Sequence, residues 1–403
     1  MKNNIIIVSF IAVLIAAAVV LWLPADTESV RKENRTPASM PELNAETLVS
    51  GEFSSGFEAY LGDNLGFRSF FTDMSEKITE NTGFTTELGK LVSVNKDVGT
   101  GTTQKESLLV ADNKVMEVFS NRDKTSEWYL NLLEYYADNL DEDIHLYSMI
   151  IPTQLEFQDE VYSSVQDSQK DAIDYIYDNM PERIHPVDAY GALEKHKDEY
   201  IYYRTDHHWT ALGAYYGYCA LLNALADTDP DNYKYYVPKG PGSFPNHKIN
   251  GFLGYLYKQA QTPELSENPD TIEWYDVNYK DHIEISDEYV EDGKTIHYDS
   301  ALFADDKEDY DFFLGGDQPL TELTNTERPG ERTILILKDS YCNSFAPWLV
   351  NNYGKVVLVD PRIYEGSFSE LVERYEPDDV LIMNYIFTTT FSDYCQMAID
   401  MFD

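Results

Sequence analysis

The chain has 403 residues, 43% hydrophobic and 14% aromatic, enough to bury a sizeable core in one large or two modest domains. Its formal net charge of -41 argues against a nucleic-acid partner, whose phosphates would be repelled. Three cysteines, Cys219, Cys342 and Cys395, are too few for a disulfide framework, and an odd number leaves at least one unpaired within a monomer.

In chain order, Lys2 precedes an uncharged apolar run over residues 5–23. At about 1.5 Å per helical residue it can cross a hydrocarbon core of about 30 Å. The flanking charges place the short end in the cytoplasm and the rest outside, so residues 1–26 read as a retained signal anchor. Cleavage near Pro24-Ala25-Asp26 is the competing reading. Residues 27–47 form a polar, proline-containing stalk, and the folded domain is expected over 48–403. Helices are expected within 53–78, 168–179 and 189–195, and strands over 144–151 and 201–203. From Thr210, the spacing of Leu212, Tyr215, Tyr216, Cys219 and Leu222 predicts a buried helix face.

Residues 227–329 differ in character. They are acidic and rich in Tyr, Gly and Pro, with a strand candidate at 271–277 and a hairpin turn at Glu291-Asp292-Gly293-Lys294, and read as a β-rich insertion. Alternation then resumes, with strands at 333–337, 356–359 and 380–383 and helices after Ser340 and over 368–375. Strands alternating with helices predict an α/β fold with a mostly parallel central sheet between helical layers. Active groups then gather beyond the carboxyl ends of the strands. Asp206, Ser340, Arg362 and Asn384 all follow expected strand ends.

Two distant stretches carry the chemistry. Lys338-Asp339-Ser340-Tyr341 ends the apolar run over 334–337, where a serine at a strand-to-helix turn suits an acyl-transfer nucleophile. Such a serine needs a base within hydrogen-bond reach, and the base needs a partner to fix its tautomer. Asp206 and His208, in Arg204-Thr205-Asp206-His207-His208-Trp209, can supply both. The bland reading makes Ser340 a helix N-cap and the Asp-His-His-Trp stretch a cap beside a packed tryptophan. A metal site is disfavoured, because adjacent histidines point in different directions and no Cys or HxxxH partner lies nearby. Cys342 is a competing nucleophile with no base motif tied to it.

The pieces Tyr202-Tyr203-Arg204-Thr205-Asp206-His207-His208-Trp209-Thr210, Phe313-Leu314-Gly315-Gly316, Lys338-Asp339-Ser340-Tyr341 and Asp360-Pro361-Arg362-Ile363-Tyr364 resemble the DHHW family of bacterial envelope proteins. Phe57-Glu58-Ala59-Tyr60-Leu61-Gly62-Asp63 and Phe67-Arg68 extend the likeness. That family is similar to the SGNH-hydrolase-like alginate O-acetyltransferases, in which an Asp-x-His-Trp motif precedes the serine, as it does here. The resemblance implies an SGNH-hydrolase-like three-layer fold in which Asp206 orients, His208 is the base, Ser340 attacks and His207 is variable. Lys338 stands where ordinary SGNH hydrolases have glycine, and no Gly-x-Asn-Asp block follows.

The oxyanion and substrate contacts are therefore sought in the Ser340 backbone N–H, Arg362, Asn384, His207 and Trp209, with Gly315-Gly316 shaping the cleft, while Arg362 reads equally as a structural bridge to Asp360 and Asn384 as a turn residue. The implied activity is serine O-acetyl transfer or acetylester hydrolysis on a cell-surface polysaccharide. No soluble cofactor or metal is expected, and a membrane-bound O-acyltransferase would supply acetyl. A non-catalytic envelope binding or scaffolding protein that retains the fold is the reading from another class.

Overall fold

The computed structural model describes residues 38–44, 47, 52–64, 85–86, 89–97, 103–121, 125–231, 236–260, 263–278, 280–291 and 294–403. The expected membrane run and most of the stalk lie outside these residues. Among the described residues no helix is long and apolar enough to cross a membrane.

The chain divides into two compact units, Met1–Ser107 with Lys258–Gln261, and Leu108–Tyr257 with Thr262–Asp403. In the first, the helix Glu52–Asp63 places Phe53, Phe57 and Tyr60 on one side, where their rings stack in series. Asn64 closes that helix by donating to the Tyr60 carbonyl and ties it to Ala38. The strand Gly89–Asp97 pairs antiparallel with Thr85–Thr86.

The second unit is built on an eight-stranded sheet. Its strands are β1 (His145–Ile151), β2 (Ile184–Pro186), β3 (Ile283–Glu291), β4 (Lys294–Asp299), β5 (Leu320–Asn325), β6 (Thr333–Lys338), β7 (Lys355–Val359) and β8 (Asp379–Tyr385). They lie in the order β4-β3-β5-β7-β6-β8-β1-β2. The five from β7 to β2 are parallel, whereas β5, β3 and β4 add on antiparallel. A parallel sheet covered on both faces needs strands that are apolar throughout rather than alternating. That is the burial of β6, β7 and β8, where only Thr333 and Lys355 are partly exposed.

The 227–329 interval is β-rich, but three of its strands extend the central sheet itself. Lys294 faces Glu291 across β3 and β4, as a hairpin requires, while its turn residues Asp292 and Gly293 fall outside the described part. A separate antiparallel pair joins Asn246–Phe252 to Asp270–Tyr275.

Three local expectations need correction. Residues 201–203 are not a strand of the sheet. They enter a tight loop closed by a single bridge between Tyr202 and Trp209, because their N–H and C=O groups bond within the loop. In the helix Ala211–Thr228, Leu212, Tyr216 and Cys219 are only half-buried. Tyr215 and Leu222 are buried as expected, but the covered face also takes in Gly213, Ala214, Gly217, Leu221 and Leu225, since small residues let the helix sit close to Trp209. Strand β8 reaches Tyr385, so Asn384 lies inside it rather than after it.

Candidate active site

The loop carrying Asp206 and His208 is held by a buried carboxylate from another part of the chain. Asp270 accepts the backbone N–H groups of Arg204 and Thr205, the Thr205 hydroxyl and the Arg204 guanidinium. Thr205 in turn accepts the Gly254 N–H, and its carbonyl accepts from Tyr257. The strand Lys114–Glu117 adds a bond from the Val115 N–H to the Arg204 carbonyl. These bonds satisfy the backbone groups of a non-repetitive segment that is nevertheless mostly buried.

The serine turn is pinned as densely. Asp339, fully inside, caps the short helix Ser340–Ser344 by accepting the Tyr341 N–H. Its second oxygen accepts the Tyr385 N–H, the Thr388 hydroxyl and, at 3.3 Å, the Asn384 amide. Burial pushes the Asp339 carboxyl up, against those donors. Ser340 is the one partly exposed residue in a run, 338–344, that is otherwise buried.

Two reciprocal bonds lock the loop to the turn. The Trp209 indole donates to the Tyr341 carbonyl at 3.0 Å, and the Tyr341 hydroxyl donates to the His207 carbonyl. The result is a continuous hydrogen-bonded line. His208 Nε2 lies 2.8 Å from Ser340 Oγ, and His208 Nδ1 lies 2.6 Å from Asp206 Oδ1. Asp206 Oδ1 also accepts the His208 N–H, and its Oδ2 accepts the Tyr255 N–H. Burial opposes charge on Asp206, but His208 and His207 beside it and these donors outweigh that, holding its carboxyl well below the usual range.

The other residues singled out in the sequence are placed differently. Trp209 and Asn384 are completely buried, and their polar groups bond inside the protein, Asn384 with Tyr129, Tyr394 and Asp339. They brace the site and offer no surface to a substrate. His207 is 14% exposed and sits among the rings of Tyr255, Tyr341 and Tyr385. Arg362 forks onto Asp360 and reaches Asp317, which also takes the buried Lys338 amine at 2.7 Å. Gly315 and Gly316 follow Leu314 in a run of positive φ, and a Cβ on Gly316 would come within 2.9 Å of Asp311. Cys342 is buried, and desolvation pushes its thiol far up, which removes it as a nucleophile.

Asp206, His207 and His208 are also a possible cation cluster, with one donor atom from each within 4.8 Å of the others. Both ring nitrogens of His208 already face Asp206 and Ser340, so a cation there would break the line. The sequence reading missed Asp270, Gly254, Asp317 and Tyr310. All four are single residues in the 227–329 stretch, and Tyr310 is one of 31 tyrosines, lying just outside the Phe313-Leu314-Gly315-Gly316 piece.

A family model described as DHHW protein matches residues 86–359. A DHHW family protein from Eubacterium siraeum, solved as a crystal structure, superposes with a TM-score of 0.60 at 24% identity, over 76% of this chain and 98% of that one. PatB1 of Bacillus cereus superposes with a TM-score of 0.55 at 16% identity, over 72% and 99%. The same protein with a sulfonyl adduct gives 0.56 at 15% identity, over 71% and 98%. No curated protein matches the sequence.

Proposed function

The chain belongs to the DHHW family, and from that premise we propose that it is an extracytoplasmic serine O-acetyltransferase or acetylesterase acting on a cell-surface polysaccharide. The observation that carries this reading is the line from Asp206 through His208 to Ser340. Ser340 Oγ attacks the acetyl carbonyl while His208 Nε2 takes its proton, and Asp206 holds the imidazole in the tautomer that leaves Nε2 free to do so. The Ser340 backbone N–H is the proposed oxyanion donor. His208 returns the proton to the leaving oxygen, leaving an acetyl-serine. A sugar hydroxyl, or water in the esterase, then attacks that ester, with His208 again taking the proton and Ser340 regaining it. Transferase and esterase share every step except the acceptor.

The run over 5–23 is proposed as the anchor that keeps this domain at the outer membrane face, where a membrane-bound O-acyltransferase would hand over acetyl. The scaffolding alternative keeps the fold without the chemistry. The full chain in detergent, incubated with p-nitrophenyl acetate, should release nitrophenol and carry acetyl on the Ser340 peptide by mass spectrometry. Absence of both, with the protein folded, favours the scaffold.

A further inference from the structure

Tyr310 comes from outside both motifs, in the short turn Tyr310–Phe312. Its ring lies flat on the His208 imidazole, with centroids 3.6 Å apart and planes 3° from parallel. His207, on the same loop, also lies close, with centroids 3.9 Å apart, but its ring is tilted 35° to that imidazole, so only the Tyr310 ring is parallel to it. The Tyr310 hydroxyl donates to the Ser340 carbonyl at 3.1 Å and lies 3.0 Å from the Ser344 hydroxyl. The rings of Tyr203 and Phe313 also pack against it, and it is buried. One side chain therefore touches the proposed base through its face and the proposed nucleophile's backbone through its hydroxyl.

We propose that Tyr310 is a positioning residue, a slab that fixes the plane of His208 between Asp206 and Ser340 and favours the imidazolium formed when His208 takes the serine proton. This rests on the serine acyl-transfer reading. The physical case has two parts. An imidazole held at two nitrogens can still tilt about the axis joining them, and a parallel ring at van der Waals distance removes that freedom. The ring face is also electron-rich, so it attracts the cationic imidazole more than the neutral one, which assists a step in which that charge develops. Burial pushes the phenol far up in pKa, so it remains a neutral donor throughout.

Three variants of the full chain separate the ring from the hydroxyl. Tyr310→Phe keeps the stack, whereas Tyr310→Leu removes it; Tyr310→Met serves where the leucine variant does not fold by circular dichroism. Two quantities are read: kcat and KM on p-nitrophenyl acetate, and the chemical shifts of the His208 ring protons in histidine-labelled protein, assigned with His208→Gln. The stack places those protons in the tyrosine ring current, a signature that loss of general packing does not reproduce. The expected result is a fall in kcat of roughly tenfold or more for the aliphatic variant, with KM within about twofold. The upfield ring-current displacement should vanish with it, and Phe should restore both. Unchanged kcat in a folded aliphatic variant overturns the proposal, and so does a phenylalanine variant that falls as far as the aliphatic one. A wild-type chain with neither turnover nor acetyl on Ser340 refutes the acyl-transfer reading itself, and the proposal with it.

Discussion

Gly254 lies where any side chain would strike the Asp206 carboxylate. A Cβ built there would sit 2.5 Å from Asp206 Oδ2 and 2.8 Å from its Cα. The closeness lets Thr205 take the Gly254 N–H and Asp206 take the Tyr255 N–H. Gly254→Ala should therefore push Asp206 off His208. A displacement near 1 Å costs roughly a hundredfold in rate, so turnover should fall by about that factor while the fold survives. Equal turnover for the alanine and glycine proteins at matched stability would mean that Asp206 tolerates the shift.

The adjacent histidines should behave unequally. His208→Ala removes the bridge between Asp206 and Ser340 and should lower turnover by several orders of magnitude. His207→Ala should cost much less, because His207 Nδ1 stands 3.8 Å from Asp206 and forms no link in that line. Comparable losses in two folded variants would reverse the assignment.

Asp339 and Ser340 are neighbours whose expected contributions differ. Asp339→Ala leaves the Tyr341 and Tyr385 N–H groups and the Thr388 hydroxyl without their buried acceptor, each at about 1–3 kcal/mol before relaxation. A loss of roughly 3 kcal/mol or more in urea unfolding is expected. Ser340→Ala should abolish turnover and change stability by less than about 1 kcal/mol, since the serine is partly exposed. A Ser340→Ala protein as unstable as Asp339→Ala would recast the serine as a structural cap.

Acid should expose the state of Asp206. Its folded pKa lies below its unfolded one, so its stabilising contribution is fully present above the ordinary carboxylate value of about 3.9 and is lost as pH falls from there towards the folded value. The stability difference between wild type and Asp206→Asn should thus narrow between about pH 5 and pH 2. Urea midpoints measured stepwise through that interval decide it, a constant gap being the contrary result.

Metal should inhibit rather than activate. Chelator treatment is expected to leave turnover unchanged, while Zn2+ drawn to Asp206, His207 and His208 should block it by occupying nitrogens that the line needs. His207→Ala should weaken that inhibition. Loss of activity on chelation, restored by added metal, would point to a metal-dependent reaction instead.

Much of this arrangement was legible because it is written locally. The unbroken apolar stretch before Lys338 identified a buried parallel strand, since a strand covered on both faces has no polar side to show. Asp206-His207-His208-Trp209 was conspicuous because three chemically capable side chains share one short segment. Boundaries were less legible. The tyrosines at 202 and 203 look like strand residues, yet the loop they enter is stabilised by Asp270, Gly254 and Val115, which no local pattern connects to them.

The sequence by itself determined the α/β alternation, the family likeness and the residue types able to take part in acyl transfer, because each follows from periodicity or from short contiguous motifs. Only the tertiary structure decided which of them meet. The His208–Ser340 bond spans 132 positions, and its length depends on the Trp209–Tyr341 and Tyr341–His207 ties that draw the two segments together. The same long-range packing laid Tyr310 on His208 and buried Asn384 and Trp209 behind the site. Which face a side chain turns to solvent is set by everything packed around it, and residue order along the chain does not carry that information.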